Sequence, residues 1–185
     1  MAVSQVIILN GVSSVGKSST ARALQTLTRK PFLHVPMDAF IGMLPHALIG
    51  RPEGLMFETT QEDGKSSVNI IVGPVLARVM RGMHHAVAAM AAQGNNLIID
   101  LVLMELTDEQ ACRELLSAFE VYFVGLFASL EVIEERERRR DDRKVGLARW
   151  QQTRLHRDTV YDLTINVSHT TPMQNAERIR ARFDL

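Results

Sequence analysis

The sequence is poor in the features that mark secreted, membrane and nucleic-acid-binding proteins. It has a single cysteine, Cys112, so no disulfide can form within the chain, and a reducing compartment such as the cytoplasm is expected. Its 21 basic and 21 acidic residues give a formal net charge of zero, which argues against a protein that coats nucleic acid. No apolar run approaches the roughly 18 residues of a membrane span, and the N-terminus lacks the basic region of a signal peptide. We therefore expect a cytoplasmic protein that binds neither membranes nor nucleic acid.

Zinc ligation has little support in the sequence. The six histidines show no metal-binding spacing. His84 and His85 are adjacent on a predicted helix and cannot face one site, while His34, His46 and His169 are isolated from one another. We therefore expect no zinc site.

A phosphate-binding loop is what the chain does contain. The apolar run at 6–9 leads into G-x-x-x-x-G-K-[ST], which Gly11, Gly16, Lys17 and Ser18 match at every fixed position. The glycines permit the tight backbone that turns N–H groups toward a polyphosphate, Lys17 reaches the outer phosphates, and the Ser18 hydroxyl completes a Mg²⁺ shell. The helix that follows directs the positive end of its dipole toward the same phosphates. The residues predicted to bind the nucleotide are Gly11, Ser13, Ser14, Val15, Gly16, Lys17, Ser18 and Ser19.

The donor nucleotide is expected to be ATP, with Mg²⁺. A GTPase needs the guanine-reading motif [NT]-K-x-D, and the chain has none, since the segment T-R-K-P at 28–31 fails at the required aspartate. The loop at 168–171, after the last predicted strand, is the predicted adenine contact. A nucleotide-binding switch without transfer activity stays as an alternative.

Strand-like and helical stretches alternate along the 185 residues. Nearly continuous apolar runs predict strands at 3–9, 32–35, 97–100, 121–127 and 163–167. Helices are predicted from the phosphate loop to about 28, at 74–93 and at 107–117, and after the caps Ser129 and Thr171; Thr107 with Gln110, and Thr171 with Gln174, are predicted capping boxes. The pattern predicts one α/β domain, 1–185, of the P-loop NTPase fold, with a five-stranded parallel sheet and helices on both faces. The stretch 46–71 shows no clean period and is predicted to be an exposed, partly irregular insertion on the acceptor side.

Two predicted strands end near a carboxylate, Asp38 and Asp100, at the sheet edge where ligands of such folds bind. Asp100 is the predicted Mg²⁺ ligand, directly or through water; the alternative is a carboxylate that caps a nearby turn. Leu101 follows it where ATP-driven machines place a glutamate, which argues against a dedicated hydrolase. Asp38 is the candidate base for an acceptor hydroxyl, and a cap for a helix starting at Ala39 is equally good local chemistry.

An arginine-rich stretch, about 136–146, is predicted to form a lid. Arg136, Arg140 and Arg143 fall at i, i+4 and i+7, so on one helical face they could close over the transferring phosphate. The alternative is a solvated face rich in ion pairs. Arg138 and Arg139 are assigned to that face, and the interleaved acidic residues are Glu137, Asp141 and Asp142.

Taken in order, these motifs resemble the chloramphenicol phosphotransferase-like small-molecule kinases, a family of the P-loop nucleoside-monophosphate-kinase-like group. Similar stretches are the phosphate loop with its double serine, M-D-A-F-I-G-M-L-P at 37–45, the G-P pair that opens the long helix, G-N-N-L-I-I-D at 94–100, the R-E-x-x-R-x-D-R-x-x-G pattern at 136–146, and His156 followed by Tyr161 and Asp162. The chain departs from the family at Leu101, where a second acidic residue is expected, and in the length of 46–71.

The resemblance implies ATP-dependent phosphorylation of a hydroxyl on a small molecule, with Asp38 at the position of the family's catalytic aspartate. A chloramphenicol-like antibiotic is the first acceptor expected, which would make the protein a resistance enzyme. The alternative within the same scaffold is a metabolic kinase of the gluconate, shikimate or nucleoside type.

Overall fold

The computed structural model describes residues 3–62, 64–140, 144–157 and 159–185. Arg143, Asp141 and Asp142 of the predicted lid therefore lie outside the described residues. In chain order the elements are β1 (Gln5–Asn10), α1 (Lys17–Leu27), β2 (Phe32–Pro36), α2 (Met37–Ile41), a 3-10 turn (His46–Leu48), β3 (Leu55–Glu62), β4 (Lys65–Val72), α3 (Pro74–Ala92), β5 (Asn96–Leu101), α4 (Leu106–Leu115), β6 (Glu120–Phe127), α5 (Leu130–Arg138), α6 (Leu147–Gln152), β7 (Leu163–Asn166) and α7 (Pro172–Phe183).

The central sheet has five parallel strands, as the sequence predicted, and the structure shows their order to be β2-β5-β1-β6-β7. β1 is paired on both sides, and Val6, Ile7, Ile8 and Leu9 are fully buried. Its last residue, Asn10, pairs with Leu101 of β5 on one side and with Gly125 of β6 on the other. The carboxyl ends of the central strands therefore meet where the phosphate loop begins.

Both faces of the sheet are covered by helices. Alternate residues of β1 point to opposite faces, so Ile7 packs in one apolar cluster and Ile8 in another. The first cluster includes Leu24 of α1 and Ile179 of α7, and the second includes Met83 of α3. These two cores give the phosphate loop a rigid base. No described helix is both long enough and apolar enough to cross a membrane.

The stretch 46–71, predicted to be exposed and partly irregular, has no strand before Leu55, but from there β3 and β4 form a regular antiparallel hairpin that the sequence analysis did not predict. Cross-strand pairs such as Phe57 with Ile70 hold it together, and both residues pack against a small apolar cluster of Leu44, Leu55 and Leu76. The residues of this cluster are far apart in sequence. The hydrophobic pattern within 46–71 therefore does not by itself indicate two strands. The Val68 N–H of β4 also donates to the Gly146 carbonyl at 3.0 Å, which joins the hairpin to the start of α6.

Two of the three predicted helix caps are confirmed. The Ser129 hydroxyl accepts from Val132 N, and Thr171 forms a complete capping box with Gln174. The predicted box at Thr107 is wrong, because α4 begins at Leu106 and the Glu109 N–H bonds to the carbonyl of Glu105. That bond starts the helix two residues earlier than a cap at Thr107 would.

The described part of the arginine-rich stretch is anchored by a buried glutamate. Glu137, which the sequence placed on a solvated face, has 0% of its surface exposed. Its two carboxylate oxygens accept hydrogen bonds from the N–H groups of Gly146 (2.7 Å) and Ala148 (2.9 Å), at the start of α6. The carboxylate therefore satisfies otherwise unpaired donors of a helix N-terminus and links α5 to α6.

Glu137→Ala is expected to destabilise the protein by about 1–3 kcal/mol, because it leaves buried backbone N–H groups without an acceptor. Glu135→Ala, on the same helix, removes exposed ion pairs with Arg138 and Arg139 and should leave stability unchanged. The free energy of unfolding from denaturant titration measures both effects. Equal stability of the two variants would contradict the anchoring role of Glu137.

Candidate active site

The phosphate loop joins β1 to α1 and has the backbone that its glycines were predicted to permit. Gly16 has φ +107°, in the left-handed region, and stands immediately before α1. The Lys17 ammonium donates to the carbonyls of Gly11 (2.7 Å) and Val12 (3.0 Å), and so lies across the mouth of its own loop. A phosphate bound in the loop would meet Lys17 and the N-terminal N–H groups of α1 together.

Two serine side chains of the loop lack a hydrogen-bond partner among the described residues. The Ser13 and Ser14 hydroxyl oxygens are buried and have no hydrogen-bond partner among the described residues. Ser14 also has φ +60°, an uncommon conformation for a residue other than glycine. Buried polar groups are normally satisfied, so hydroxyls left open at this place suit the oxygens of a polyphosphate.

Ser18 and Asp100 come together, as the prediction of a shared Mg²⁺ site requires. Asp100, near the end of β5, is 4% exposed and accepts a hydrogen bond from His34 Nε2 at 2.7 Å. Burial alone raises the pKa of Asp100, but the hydrogen bond from His34, the charge of Lys17 and the hydrogen bond from Ser18 outweigh it and hold that pKa below its usual value. Asp100 is therefore an ionised carboxylate beside the loop, the state that a magnesium ligand needs.

His34 is a residue to which the sequence analysis gave no role, and the structure places it against Asp100. It lies on β2 opposite Ile98 of β5, two residues before Asp100 along that strand. Its ring holds the Oδ2 oxygen of the Asp100 carboxylate. Only the strand order brings the two side chains together, and the sequence does not state which strands are neighbours.

Asp38 lies in α2, directly after the carboxyl end of β2. It is the second residue of α2, and Pro36, the last residue of β2, pairs with Asp100 in the sheet. Its side chain is exposed. The helix begins at Met37 with Pro36 as its N-cap, so a cap by Asp38 for a helix starting at Ala39 is not what the structure contains. The Asp38 carboxylate is thus exposed and lies at the edge of the sheet that also carries Asp100.

Arg136 points into the phosphate loop from α5. Its guanidinium donates to the Val15 carbonyl at 3.0 Å and to the Val167 carbonyl, just after β7, at 2.9 Å. This arginine ties the phosphate loop to the loop at 168–171, where the adenine contact was predicted. The observed contacts are those of a residue that holds the loop in shape.

The predicted shared face of three arginines does not form on one helix. α5 ends at Arg138, so Arg140 lies beyond it, and Arg143 is outside the described residues. Arg138 and Arg139 both pair with Glu135 and are well exposed, which confirms their assignment to a solvated face. The helix stops here because the last turn tightens, with Arg140 N bonding to the Glu137 carbonyl.

Sequence analysis missed Gln151, a buried residue of α6. Its side-chain oxygen accepts a hydrogen bond from the Ser13 N–H at 2.6 Å. The loop is therefore held from one side by Arg136 of α5 and from another by Gln151 of α6. No local motif marks Gln151, because its partner is 138 residues away.

A buried polar network lies at the end of β1. Asn10, with 0% exposure, accepts from Leu103 N (3.0 Å) and donates from its amide nitrogen to the Tyr161 hydroxyl (2.8 Å). That hydroxyl also lies 2.5 Å from Nδ1 of His156. Burial and the charge of Lys17 lower the pKa of His156 to about 4, so its ring is neutral at neutral pH.

The buried thiol of Cys112 takes no part in the site. Burial raises its pKa to about 11, which removes the thiolate needed of a nucleophile. The described part of the chain contains no group of three or more histidine, cysteine or acidic residues that could hold a metal ion. The chemistry of the site is thus that of a phosphate loop, one buried carboxylate and one exposed carboxylate, which are the parts that phosphoryl transfer uses.

Comparison with known proteins identifies the family. The family model described as chloramphenicol phosphotransferase-like protein matches residues 4–184. A Mycobacterium tuberculosis protein, provisionally named an O-phosphotransferase and found in two strains, is 30% identical over 187 residues, which cover 97% of this chain and 82% of the relative.

Solved structures share the fold at low sequence identity. An unliganded sugar kinase from Janibacter sp. has a TM-score of 0.70 and 20% identity, with 98% of this chain and 95% of that chain covered. The Mycobacterium tuberculosis APS kinase in complex with AMPPNP and APS has a TM-score of 0.68 and 13% identity, with both chains fully covered. At such identity the likeness establishes the fold of a P-loop kinase.

The family match over nearly the whole chain agrees with the geometry built above from single residues. The protein belongs to the chloramphenicol phosphotransferase-like family and is a kinase, a phosphotransferase of small molecules.

Proposed function

We propose that the protein transfers the γ-phosphoryl group of ATP to a hydroxyl of a small molecule, with Mg²⁺ held beside Ser18 and Asp100. The main observation in support of this proposal is that an ionised Asp100 lies beside Lys17 and Ser18 at the mouth of the phosphate loop. A cytoplasmic location is part of this proposal, since the proposed donor is ATP.

The residues present fit the phosphates of a nucleotide. Ser13 and Ser14 offer buried hydroxyls that lack partners among the described residues, and Lys17 offers an ammonium group now bonded to loop carbonyls. Gly11 lets the loop pack closely against β6 and fold on itself, because a Cβ there would lie 2.8 Å from the Leu126 carbonyl oxygen and from a Val15 methyl. These three features support assigning 11–19 to the phosphates.

The residues also fit Mg²⁺ that arrives with the nucleotide. Mg²⁺ in kinases is usually held by one or two carboxylates, waters and substrate phosphates, so Asp100 and Ser18 suffice on the protein side. Bound Mg²⁺ supplies charge neutralisation on the transferred group. His34 fixes the Asp100 carboxylate so that its orientation does not have to be established when the nucleotide binds.

The transfer step follows from these positions. The acceptor oxygen forms a bond to the γ-phosphorus, the bond from that phosphorus to the bridging oxygen of ADP breaks, and the hydroxyl proton moves to the Asp38 carboxylate. Lys17 lies where charge develops on the phosphoryl oxygens and stabilises it. Asp38 then releases the proton to solvent, since its side chain is exposed.

Two acceptor classes follow from the family and the fold. The family's description points to chloramphenicol, a neutral aryl diol, as the first acceptor to test. The sugar kinase among the structural neighbours favours the second candidate, a metabolic kinase for a polyhydroxylated substrate. In both cases the reacting group is a hydroxyl within reach of Asp38.

Lys17→Ala should reduce phosphoryl transfer by about 10³-fold or more, because transition-state charge on the phosphates loses its cation. Steady-state ADP release with a working acceptor measures kcat. Lys30→Ala, an exposed lysine just before β2, is the matched control and should keep full activity. A Lys17→Ala variant with kcat near that of the wild type would contradict the loop assignment.

Asp38→Asn should lower kcat by about 10²–10⁴-fold, the usual contribution of a general base, while the affinity for ATP hardly changes. The amide keeps the shape and a hydrogen-bonding oxygen but cannot accept the proton. Asp108→Asn, an exposed carboxylate in the first turn of α4, serves as control.

Nucleotide affinity from calorimetry and kcat from ADP release separate the two roles of Asp38. Loss of both quantities would mean a structural role, and full activity of Asp38→Asn would remove the proposed base.

A further inference from the structure

A cavity of about 450 Å³ opens beside the phosphate loop, between the start of α4 and the chain that follows α6. Its volume is in the range of pockets that hold small organic ligands. Leu103, Met104 and Leu106 form an apolar part of the lining, and the remaining residues are Glu105, Trp150, Arg154, His156, Arg157 and Thr159.

Both walls of the cavity are tied to the phosphate loop. On one wall, Leu103 N donates to Asn10, the residue before Gly11. On the other, Trp150 stands next to Gln151, which accepts from Ser13 N. A ligand in the cavity would therefore lie at a fixed place relative to the phosphates.

The polar part of the lining is cationic. Arg154 and Arg157 contribute two guanidiniums against the single carboxylate of Glu105, which leaves one net positive charge among the described lining residues. The Arg154 guanidinium lies over the Trp150 ring, 4.7 Å from its centroid, a contact that restricts its position. Guanidinium groups bind carboxylates and phosphates in preference to neutral groups.

His156 adds a fixed neutral donor to the same lining. The Leu103 N–H can bond only to the oxygen of the Asn10 amide, so the amide nitrogen faces the Tyr161 hydroxyl. Because that hydroxyl accepts from Asn10, we assign its own proton to the bond with His156 Nδ1. The ring proton of the neutral imidazole is then on Nε2, which has no hydrogen bond to a described residue and can donate to a ligand.

The backbone at His156 supports a ligand-binding role. Its φ of +71° lies in the left-handed region, where residues other than glycine are uncommon. A tilted contact with the Phe127 ring, with ring centroids 4.0 Å apart, and the hydrogen bond to Tyr161 hold the His156 ring in place. Strained positions that are held by several contacts cluster at binding sites.

We propose that this cavity binds the part of the acceptor remote from the reacting hydroxyl, and that the acceptor carries an oxyanion, a carboxylate or a phosphate. Arg154, Arg157 and the Nε2–H of His156 bind the oxyanion, and Leu103, Met104 and Leu106 contact the carbon skeleton. The inference rests on the kinase function proposed above and chooses between its acceptors, since chloramphenicol has no anionic group.

The test compares acceptors that differ in one charge. ADP release is measured with gluconate against glucitol for the carboxylate, with glucose 6-phosphate against glucose for the phosphate, and with chloramphenicol as the neutral aryl diol. For at least one of the two pairs, kcat/KM should be about tenfold or more higher for the anionic acceptor than for its neutral partner. A charge-assisted hydrogen bond contributes a free energy of that size.

Variants locate the effect in the cavity. Arg154→Gln and Arg157→Gln should each raise KM for the anionic acceptor about tenfold and leave KM for ATP unchanged. His156→Asn keeps a residue that tolerates the left-handed backbone, loses the Nε2 donor, and should also raise the acceptor KM. Arg178→Gln, an exposed arginine on α7, is the control and should change neither constant.

The outcomes separate this inference from the kinase function. Neutral acceptors that equal or exceed their anionic partners, phosphorylation of chloramphenicol alone, or arginine variants that match the control would each overturn the oxyanion site and leave the kinase standing. Failure of every acceptor to raise ATP turnover would overturn the oxyanion site and count against the kinase function as well.

Discussion

Parallel pairing of β1 on both of its edges is the constraint on which the site depends. Because β1 is buried on all sides between β5 and β6, the phosphate loop leaves the sheet at one fixed point. The same register places Leu101 beside Asn10, so that Asp100 and the loop face one another. A sheet with another strand order would separate the loop from its carboxylates.

Several polar contacts then hold the loop in a shape that suits phosphates. Arg136 and Gln151 bind its backbone from α5 and α6, and Glu137 joins those two helices through the start of α6. The backbone of the loop is thus held in place, while the Ser13 and Ser14 hydroxyls have no hydrogen-bond partner among the described residues. Such preorganisation lowers the cost of binding, because little remains to be ordered when the nucleotide arrives.

Local signals in the sequence were enough for the fold and for the phosphate loop. Apolar runs predicted the five parallel strands, and the loop motif predicted the roles of Lys17 and Ser18. The carboxylate at the end of a predicted strand was the signal for Asp100, which lies beside them. What failed depended on contacts between distant segments. The β3–β4 hairpin packs on residues of other elements, and the end of α5 at Arg138 separated Arg140 from Arg136.

Gln151, His34 and Tyr161 illustrate the same limit. Each is an ordinary residue locally, and each gains its role from a partner in a different element: Ser13, Asp100 and Asn10 respectively. The order of the strands in the sheet and the path of the chain after α6 determine which of these residues come into contact. A single sequence reveals neither of them, because the periodicity of hydrophobic residues indicates which face of an element is buried but not which elements pack against it.

A crystal structure of the protein with AMPPNP and Mg²⁺ tests the central claim most directly. The account predicts that the terminal phosphates lie in the loop at 11–19, that the Ser13 and Ser14 hydroxyls donate to phosphate oxygens, and that Mg²⁺ lies between Ser18 and Asp100, bound directly or through water. A nucleotide bound elsewhere, or a metal held by neither Ser18 nor Asp100, would contradict it.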